Sequence, residues 1–193
     1  MLDKIWNRKI SGLPMLLVQL LIIFVGKLGD FLTTGLWRRN LGKVGRGVKL
    51  QLGITIRYPN QIKLSDHVSV GRHVEISTEL NGSRCVVGRS SQVNKNVKLD
   101  YSGGLTIGSG VVISEGSTIY THSHSDDPKS IPVKKPLIIE DDVWIGGHVL
   151  VMEGVGRIGR GAIIAAGSVV TKEIPEGIVV AGIPAIAIRK RNS

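Results

Sequence analysis

The chain has 193 residues, of which 42% are hydrophobic but only 4% are aromatic, and glycine occurs 25 times. This composition favours one domain with a repetitive aliphatic core over a bundle or a sandwich, whose cores use more aromatic volume. The net charge is +10, yet no aromatic residues are interleaved with the basic ones, which disfavours nucleic acid as a partner.

Residues 1–45 form a hydrophobic and basic segment. The first 50 residues hold nine basic side chains against two acidic ones, and residues 13–25 read LPMLLVQLLIIFV. This run is short for a membrane span, and no small-residue cleavage site of a signal peptide follows it. It predicts either a helix in the bilayer interface, through residues 1–40, or a helix packed on the protein or on a partner subunit; membrane crossing is a third alternative. The side chains that would face the headgroups are Lys4, Arg8, Lys9, Arg38 and Arg39.

From about residue 60, aliphatic residues recur at every sixth position in sets of three. The sets are Leu64/Val70/Ile76, Val87/Val93/Leu99, Ile107/Ile113/Ile119, Ile139/Ile145/Val151 and Ile158/Ile164/Val170. A period of six fits neither a helix nor simple strand alternation, but it fits short strands separated by sharp corners. Three such sides close a coil of about eighteen residues, and stacked coils bury one another's aliphatic layers. The repeat therefore predicts an all-β fold, a parallel β-helix.

The repeats carry a family resemblance that is strongest in the C-terminal half. Val70-Gly71 to Val74 and Ile107-Gly108 to Val111 resemble the hexapeptide of left-handed β-helix acetyltransferases. The runs DDVWIGGHV at 141–149 and GSVVTKEIPEGIVVAGIPA at 167–185 are similar to the branch that contains galactoside, maltose and polysaccharide O-acetyltransferases. The resemblance implies a left-handed parallel β-helix over residues 46–193, after the helical segment and with a short C-terminal tail. It also implies a homotrimer that binds acetyl-CoA between subunits.

One long loop interrupts the repeat. Ile119 and Ile139 are 20 residues apart where the period asks for six, so residues 120–137 bulge out, and they contain THSHSDDPKS. Functional residues gather on loops held by a rigid scaffold. Transfer of an acetyl group to a hydroxyl needs a base near neutral pH, which histidine supplies. In the resembling families a loop histidine followed by x-x-Asp is the base, which implies His124 here, with His122 as the alternative.

The resemblance also implies binding residues. The coenzyme groove is expected to include Gly147, Ala166, Thr171, Lys172, Arg189 and Lys190. The acceptor is expected to meet Asn94, Asp100, Asp127 and Trp144, although corner Asn and Asp residues also have purely backbone roles and Trp144 also fits a packing role. Three residues separate Gly154 from Ile158 where the family usually has two, which predicts a small bulge near Gly156.

Two other chemistries receive less support from the sequence. Some left-handed β-helix proteins are zinc carbonic anhydrases with three histidine ligands. Two histidines about five residues apart, with a third some coils away, are not found around residues 122–124, so no metal is expected. The single Cys85 excludes an intrachain disulfide, fits a reducing compartment, and reads as a strand residue beside Val86 and Val87.

The expected function is therefore an acetyl-CoA-dependent O-acetyltransferase that acts on a sugar hydroxyl, in surface polysaccharide or lipid-linked glycan modification. N-acetylation of an amino sugar and acetylation of a small xenobiotic remain alternatives. A non-catalytic β-helix scaffold is the alternative from another class. The expected location is the cytoplasm, with peripheral attachment to the inner face of the membrane.

Overall fold

The computed structural model describes residues 13–192 as one helix followed by a stack of short strands. Helix α1 is Leu13–Arg38. The first three coils contain β1 (Lys43–Val44), β2 (Lys49–Leu50), β3 (Thr55–Ile56), β4 (Ile62–Leu64), β5 (Ser69–Val70), β6 (Glu75–Ser77), β7 (Cys85–Val87), β8 (Gln92–Val93) and β9 (Lys98–Asp100). The next three contain β10 (Leu105–Ile107), β11 (Val112–Ile113), β12 (Thr118–Ile119), β13 (His122–Ser123), β14 (Val133–Lys134), β15 (Leu137–Ile139), β16 (Trp144–Ile145), β17 (Leu150–Val151), β18 (Arg157–Ile158), β19 (Ile163–Ile164) and β20 (Val169–Val170). The chain closes with β21 (Ile178–Gly182) and β22 (Ala185–Lys190).

The strands stack into three parallel sheets that form the sides of a prism. The first side has the order β1-β4-β7-β10-β15-β18, the second β2-β5-β8-β11-β16-β19-β21-β22, and the third β3-β6-β9-β12-β17-β20. Only β22 runs antiparallel to its neighbour in these sheets. The chain turns from the first to the second side at the first edge, from the second to the third at the second edge, and into the next coil at the third edge. This architecture, of about seven coils, confirms the predicted parallel β-helix.

The six-residue sets form the core. All fifteen predicted aliphatic residues are buried, and they pair in register from coil to coil. On the second side, for example, Val70, Val93, Ile113, Ile145 and Ile164 follow one another in a single ladder. Each buried aliphatic side chain contributes roughly 1.5–3 kcal/mol relative to exposure. The repeat in the sequence is therefore the inward-facing layer of the prism.

The β-helix begins one coil earlier than the repeat predicted. Val44, Leu50 and Ile56 are also six residues apart, and they pair with Leu64, Val70 and Ile76. Strand β1 begins at Lys43, just before the predicted boundary at residue 46. A 3-10 turn at Pro59–Gln61 lies within the eight-residue step from Ile56 to Leu64, which equals the step from Leu99 to Ile107.

Three of the five histidines have a backbone role at corners. His67, His73 and His148 have φ values of 60°, 55° and 55°, in the left-handed region that a coil corner requires. His148 stacks on Gly116, where a Cβ would clash with the His148 imidazole. The glycine is needed there because the neighbouring imidazole fills the space.

Helix α1 has two different halves. By length and composition it is long and apolar enough to cross a membrane. Its large apolar side chains from Met15 to Val25 are all exposed. Its C-terminal half is hydrogen-bonded to the first coil through Asp30 and Thr34, although Leu28, Phe31, Leu32 and Leu36 are exposed there as well. Arg38 and Arg39 are exposed. Lys4, Arg8 and Lys9, which were predicted to lie near the headgroups, fall outside the described residues.

Candidate active site

The long loop leaves the third edge of the prism and carries both candidate bases. Within it, β13 and β14 pair antiparallel, with His122 opposite Lys134. Asp100, at the end of β9, lies one coil before this loop on the same edge, and Glu79 lies one coil before Asp100. The stacking of coils therefore brings together side chains that are far apart in the sequence.

His122 is bonded to a buried carboxylate. Its Nδ1 lies 2.9 Å from Asp100 Oδ2, and its side chain is only 10% exposed. The same Asp100 oxygen accepts hydrogen bonds from the Thr121 N–H at 2.6 Å and from the Thr121 hydroxyl at 2.9 Å. The other oxygen accepts from the Ser102 N–H at 3.1 Å and from the Ser102 hydroxyl. These donors hold Asp100 in one orientation.

Asp100 remains ionised in this setting. Burial by itself raises the pKa of its carboxyl, but the hydrogen bonds from Ser102, His122 and Thr121 outweigh burial and bring the pKa below its ordinary value. An ionised carboxylate only accepts hydrogen bonds, so the His122 Nδ1 must carry the proton. The lone pair of the neutral imidazole is then on Nε2, which faces away from Asp100.

The Nδ1 of His124 is bonded to backbone, whereas the Nδ1 of His122 is bonded to a carboxylate. Its Nδ1 donates to the Ser130 carbonyl at 2.9 Å, and the Ser130 hydroxyl donates to the His124 carbonyl at 2.6 Å. The two imidazoles meet edge to face, with their ring centroids 5.2 Å apart. The Nε2 of His124 therefore also carries a lone pair in the neutral ring.

The spacing between His124 and Asp127, which led to the prediction that His124 is the base, is not accompanied by a contact between the two side chains. Asp127 is exposed, and its Oδ1 accepts a hydrogen bond from the Lys129 N–H at 2.9 Å. No hydrogen bond joins the Asp127 carboxylate to an imidazole among the described residues. The carboxylate that does orient an imidazole is Asp100, which the sequence resemblance had placed against the acceptor. Asp100 is 3% exposed, and its carboxylate is saturated with donors that include His122.

Glu79 is a further member of the site that the sequence did not reveal. Its Oε1 lies 3.5 Å from the His122 Nε2, and its Oε2 lies 3.2 Å from the His124 Nε2. The Glu79 N–H donates to the Ser102 hydroxyl at 2.8 Å, which links this loop to the Asp100 network. A signal was available, because the step of eleven residues from Ile76 to Val87 is the longest step between sets after that from Ile119 to Ile139. That second interruption of the repeat marks the loop that carries Glu79.

These three residues also form a group that could bind a metal. One ligand atom from each of Glu79, His122 and His124 lies within 4.8 Å of the others. His67, His73 and His148 occupy corners of other coils and do not join it. The three-histidine zinc set that the sequence analysis considered is therefore not assembled among the described residues.

The residues expected to bind coenzyme are spread over different edges of the prism. Gly147 and Ala166 are stacked at the second edge, where the Gly167 N–H donates to the Gly147 carbonyl at 2.9 Å. A Cβ at Gly147 would meet nothing closer than the Glu115 carbonyl at 3.5 Å, so the serine common in the family would fit. Thr171 and Lys172 follow β20 at the third edge, and both are exposed.

The remaining predicted contacts lie on the second side and at its edges. Arg189 and Lys190 are in β22, where Lys190 pairs with Ile178 near the first edge. Asn94 follows β8 at the second edge, and Trp144 is 52% exposed on the second side with its indole N–H bonded to the Ser114 hydroxyl. Within a single chain, the predicted binding residues therefore do not all lie at one site.

Two smaller predictions concern Gly156 and Cys85. Ile139 pairs with Ile158, a step of one residue more than the eighteen of a regular coil, and Gly156 adopts a φ of 73° within the extra length. Cys85 is buried in β7, and burial raises the pKa of its thiol to about 12. The thiol is therefore protonated near neutral pH and is no nucleophile.

The comparisons with known proteins point to one class. No family model matches the chain. Over 61 residues it is 52% identical to the 2,3,4,5-tetrahydropyridine-2,6-dicarboxylate N-acetyltransferase of Staphylococcus aureus (strain JH9), a match that covers 32% of this chain and 25% of the relative. The chain thus matches only about a quarter of the length of such curated relatives.

Solved structures match over most of the chain. A hexapeptide-repeat-containing acetyltransferase from Vibrio cholerae is 28% identical with a TM-score of 0.64, covering 85% of this chain and 82% of that one. The maltose O-acetyltransferase of Clostridium difficile 630 is 28% identical with a TM-score of 0.61, covering 81% and 73%. The chain has the left-handed β-helix fold of the hexapeptide-repeat acetyltransferases, which confirms the predicted fold and resemblance.

Proposed function

We propose that the protein is an acetyl-CoA-dependent O-acetyltransferase that modifies a sugar hydroxyl in a surface polysaccharide or a lipid-linked glycan. The observation that supports the proposal best is the His122–Asp100 pair, because it presents an imidazole lone pair beside a loop on a rigid scaffold. The Vibrio cholerae relative has also been solved in complex with acetyl coenzyme A, and the Clostridium relative is a maltose O-acetyltransferase.

In the proposed reaction, His122 is the general base. Its Nε2 takes the proton of the acceptor hydroxyl as the oxygen attacks the thioester carbon. The tetrahedral intermediate collapses, the carbon–sulfur bond breaks, and the imidazolium returns the proton to the coenzyme A thiolate. Asp100 stabilises the transient imidazolium and holds its tautomer, as a carboxylate behind a catalytic histidine does. His124, whose ring is oriented by a neutral carbonyl, is proposed to assist in positioning.

Separate substitution of the two histidines tests this assignment. The release of coenzyme A is followed with a thiol reagent, using acetyl-CoA and a panel of sugar acceptors. His122→Ala is expected to lower kcat by about 10²–10⁴-fold, the range for a general base, and His124→Ala by less. Equal activity of both variants and the wild type would contradict the assignment of His122 and His124 to the active site. An unchanged rate for His122→Ala alone, with a large loss for His124→Ala, would reverse the roles.

The proposed active form is a homotrimer with sites between subunits. Gly147 and Ala166 lie at the second edge of the prism, whereas His122 and Lys172 lie at the third, so a neighbouring copy is needed to set one edge against the other. Mixing tests this: His122→Ala and Gly147→Trp proteins, each inactive alone, are unfolded and refolded together. If the two edges come from different subunits, some mixed trimers contain an intact site and activity returns. If each site lies within one chain, the mixture stays inactive.

N-acetylation of an amino sugar is the second candidate, and Glu79 favours it. An amino acceptor binds as an ammonium ion, which the Glu79 carboxylate beside both Nε2 atoms would attract. The Staphylococcus relative is an N-acetyltransferase. Glu79→Gln discriminates between the two: KM should rise more than tenfold for an amino acceptor if that acceptor is the natural one. A rise of similar size for hydroxyl and amino acceptors would leave O-acetylation as the better assignment.

We further propose that α1 attaches the enzyme to the inner face of the membrane, where a lipid-linked glycan would be presented. The exposed apolar side chains of its N-terminal half support this location. Flotation of the full chain with phospholipid vesicles tests it, and a protein that stays at the bottom of the gradient with every lipid would contradict it.

A further inference from the structure

The apolar half of α1 has no covered face. From Met15 to Val25 the helix carries no charge, and each large apolar side chain on it is between 47% and 66% exposed. Successive residues point 100° apart, so these side chains surround the helix instead of forming a stripe. A neighbouring subunit would cover one stripe and leave the rest in water. Hydrocarbon on all sides is the environment that matches this pattern.

The length of this stretch fits one leaflet of a bilayer. Eleven residues at 1.5 Å each rise about 16 Å, roughly half of the 30 Å hydrocarbon layer. Lys27 follows after Gly26, which would place the end of the uncharged stretch at the headgroups.

The next part of α1 is held rigidly against the first coil. The Asp30 Oδ1 accepts a hydrogen bond from the Leu52 N–H at 3.0 Å. The Thr34 hydroxyl accepts from the Leu50 N–H at 2.9 Å, and its proton is shared between the Asp30 carbonyl at 2.8 Å and the Leu50 carbonyl at 3.1 Å. The orientation of the apolar half relative to the β-helix is thereby fixed at its base.

A groove of about 590 Å³ opens between the helix and the first coil. Lys27 and Arg38 line it from the helix, and Lys49 lines it from β2. Its one acidic lining residue, Asp30, is the residue bonded to the Leu52 N–H. Arg72 reaches the same place, because its Nη2 lies 3.0 Å from where a Cβ of Gly26 would be.

The positive side chains here have no carboxylate partner within the described part of the chain. Salt bridges at 4.0 Å or less are formed by other basic residues, such as Lys95 with Glu115, but not by Lys27, Lys49 or Arg72. Several like charges gathered at the end of an apolar helix repel one another unless anions lie between them.

We propose that Lys27, Lys49 and Arg72, at and beside this groove, bind the headgroups of anionic phospholipids, while residues 15–25 enter the adjoining leaflet. Arg38 lies eleven residues, or about 16 Å, beyond Lys27 along α1 and is not assigned this role. The inference deepens the membrane attachment proposed above and rests on it. Each basic residue near an anionic surface contributes about fivefold in binding, so three of them supply about a hundredfold selectivity for an anionic over a neutral membrane.

The experiment compares flotation of the full chain with phosphatidylcholine vesicles and with vesicles containing 30% phosphatidylglycerol. The variant is Lys27→Gln/Lys49→Gln/Arg72→Gln. The matched control, Lys63→Gln/Lys98→Gln/Arg84→Gln, removes the same number and kind of charges elsewhere. Wild type and control should bind anionic vesicles about a hundredfold more strongly than neutral ones, and the variant should lose most of that difference. Equal binding of the variant and the control would overturn the inference.

Two further measurements distinguish headgroup binding at a membrane from other causes of vesicle binding. Glycerophosphoglycerol, a headgroup without acyl chains, should not release the protein at millimolar concentration; release would show a soluble anion site and overturn the bilayer assignment. Leu21→Gln/Phe24→Gln should weaken binding to both vesicle types. If the wild type floats equally with both lipids, the headgroup groove is wrong while membrane attachment stands. Flotation needs no turnover, so a failed acetyltransferase assay does not affect these results.

Discussion

Replacing Asp100 with asparagine separates the proposed orienting role of this residue from a purely structural one. The amide can take two orientations in the pocket. With its oxygen toward Thr121 and His122, the imidazolium loses a charge-assisted hydrogen bond worth about 1.5–3 kcal/mol. With its NH₂ there instead, His122 must accept at Nδ1 and the proton moves to Nε2, so that the base carries the wrong tautomer.

The two orientations of the amide set the lower and upper limits of the expected fall in kcat. Loss of the charged partner alone lowers kcat about tenfold to a hundredfold, and the wrong tautomer lowers it about 10⁴-fold. Either orientation leaves a buried N–H of Thr121 or Ser102 without its acceptor, which costs about 1–3 kcal/mol of folding stability.

The assay is release of coenzyme A, with urea unfolding measured on the same preparations. Asp126→Asn is the control, since Asp126 is an exposed residue of the same loop. We expect Asp100→Asn to fold at 25 °C and to lose at least tenfold in kcat, with the control unchanged. A folded Asp100→Asn protein within threefold of the wild-type kcat would refute the role assigned to this carboxylate.

Three other predictions concern stability and metal. The pKa of Asp100 is lowered from 3.8 on folding, so its ionised form adds stability above pH 3.8 that is lost as the pH falls through the folded pKa. The stability gap between wild type and Asp100→Asn should therefore shrink as the pH falls below 3.8, and a gap that keeps its full size there would contradict this. Ile145→Ala should lower the free energy of unfolding by about 2–5 kcal/mol, since the side chain is fully buried. Ile131→Ala, at a residue 83% exposed, should change it by less than about 0.5 kcal/mol, and equal effects would contradict the core assignment. Chelation with EDTA should leave the rate of transfer unchanged, because the proposed mechanism uses an imidazole base and no metal; a rate restored only by added metal would contradict it.

The fold was predictable because one period governs most of the core. Each inward residue of a coil is six from the next, and the next coil repeats the pattern, so the buried ladders are visible in the printed sequence. The first coil was missed although Val44, Leu50 and Ile56 have the same six-residue spacing, and although the step of eight residues from Ile56 to Leu64 equals the step from Leu99 to Ile107. A search for sets of three without a fixed step between coils would have found it.

The partners within the site were less predictable, because they are fixed by stacking instead of by local spacing. Asp100 is 22 residues from His122, and Glu79 is 43 residues away, yet all three lie on one edge of the prism. The local pair of His124 and Asp127 was the more visible pattern, but the turn between them directs Asp127 to the Lys129 backbone. Only the register of the coils shows which carboxylate lies behind which imidazole.

The most direct measurement is detection of the acetylated product by mass spectrometry, after acetyl-CoA and a panel of sugars have been incubated with the wild type and with His122→Ala. The account predicts an acceptor that gains one acetyl group on a hydroxyl with the wild type, with coenzyme A released in equal amount. It predicts a loss of at least a hundredfold with His122→Ala, consistent with the removal of a general base. Product formed equally well by the variant, or no acetylated acceptor from a folded wild-type protein, would contradict it.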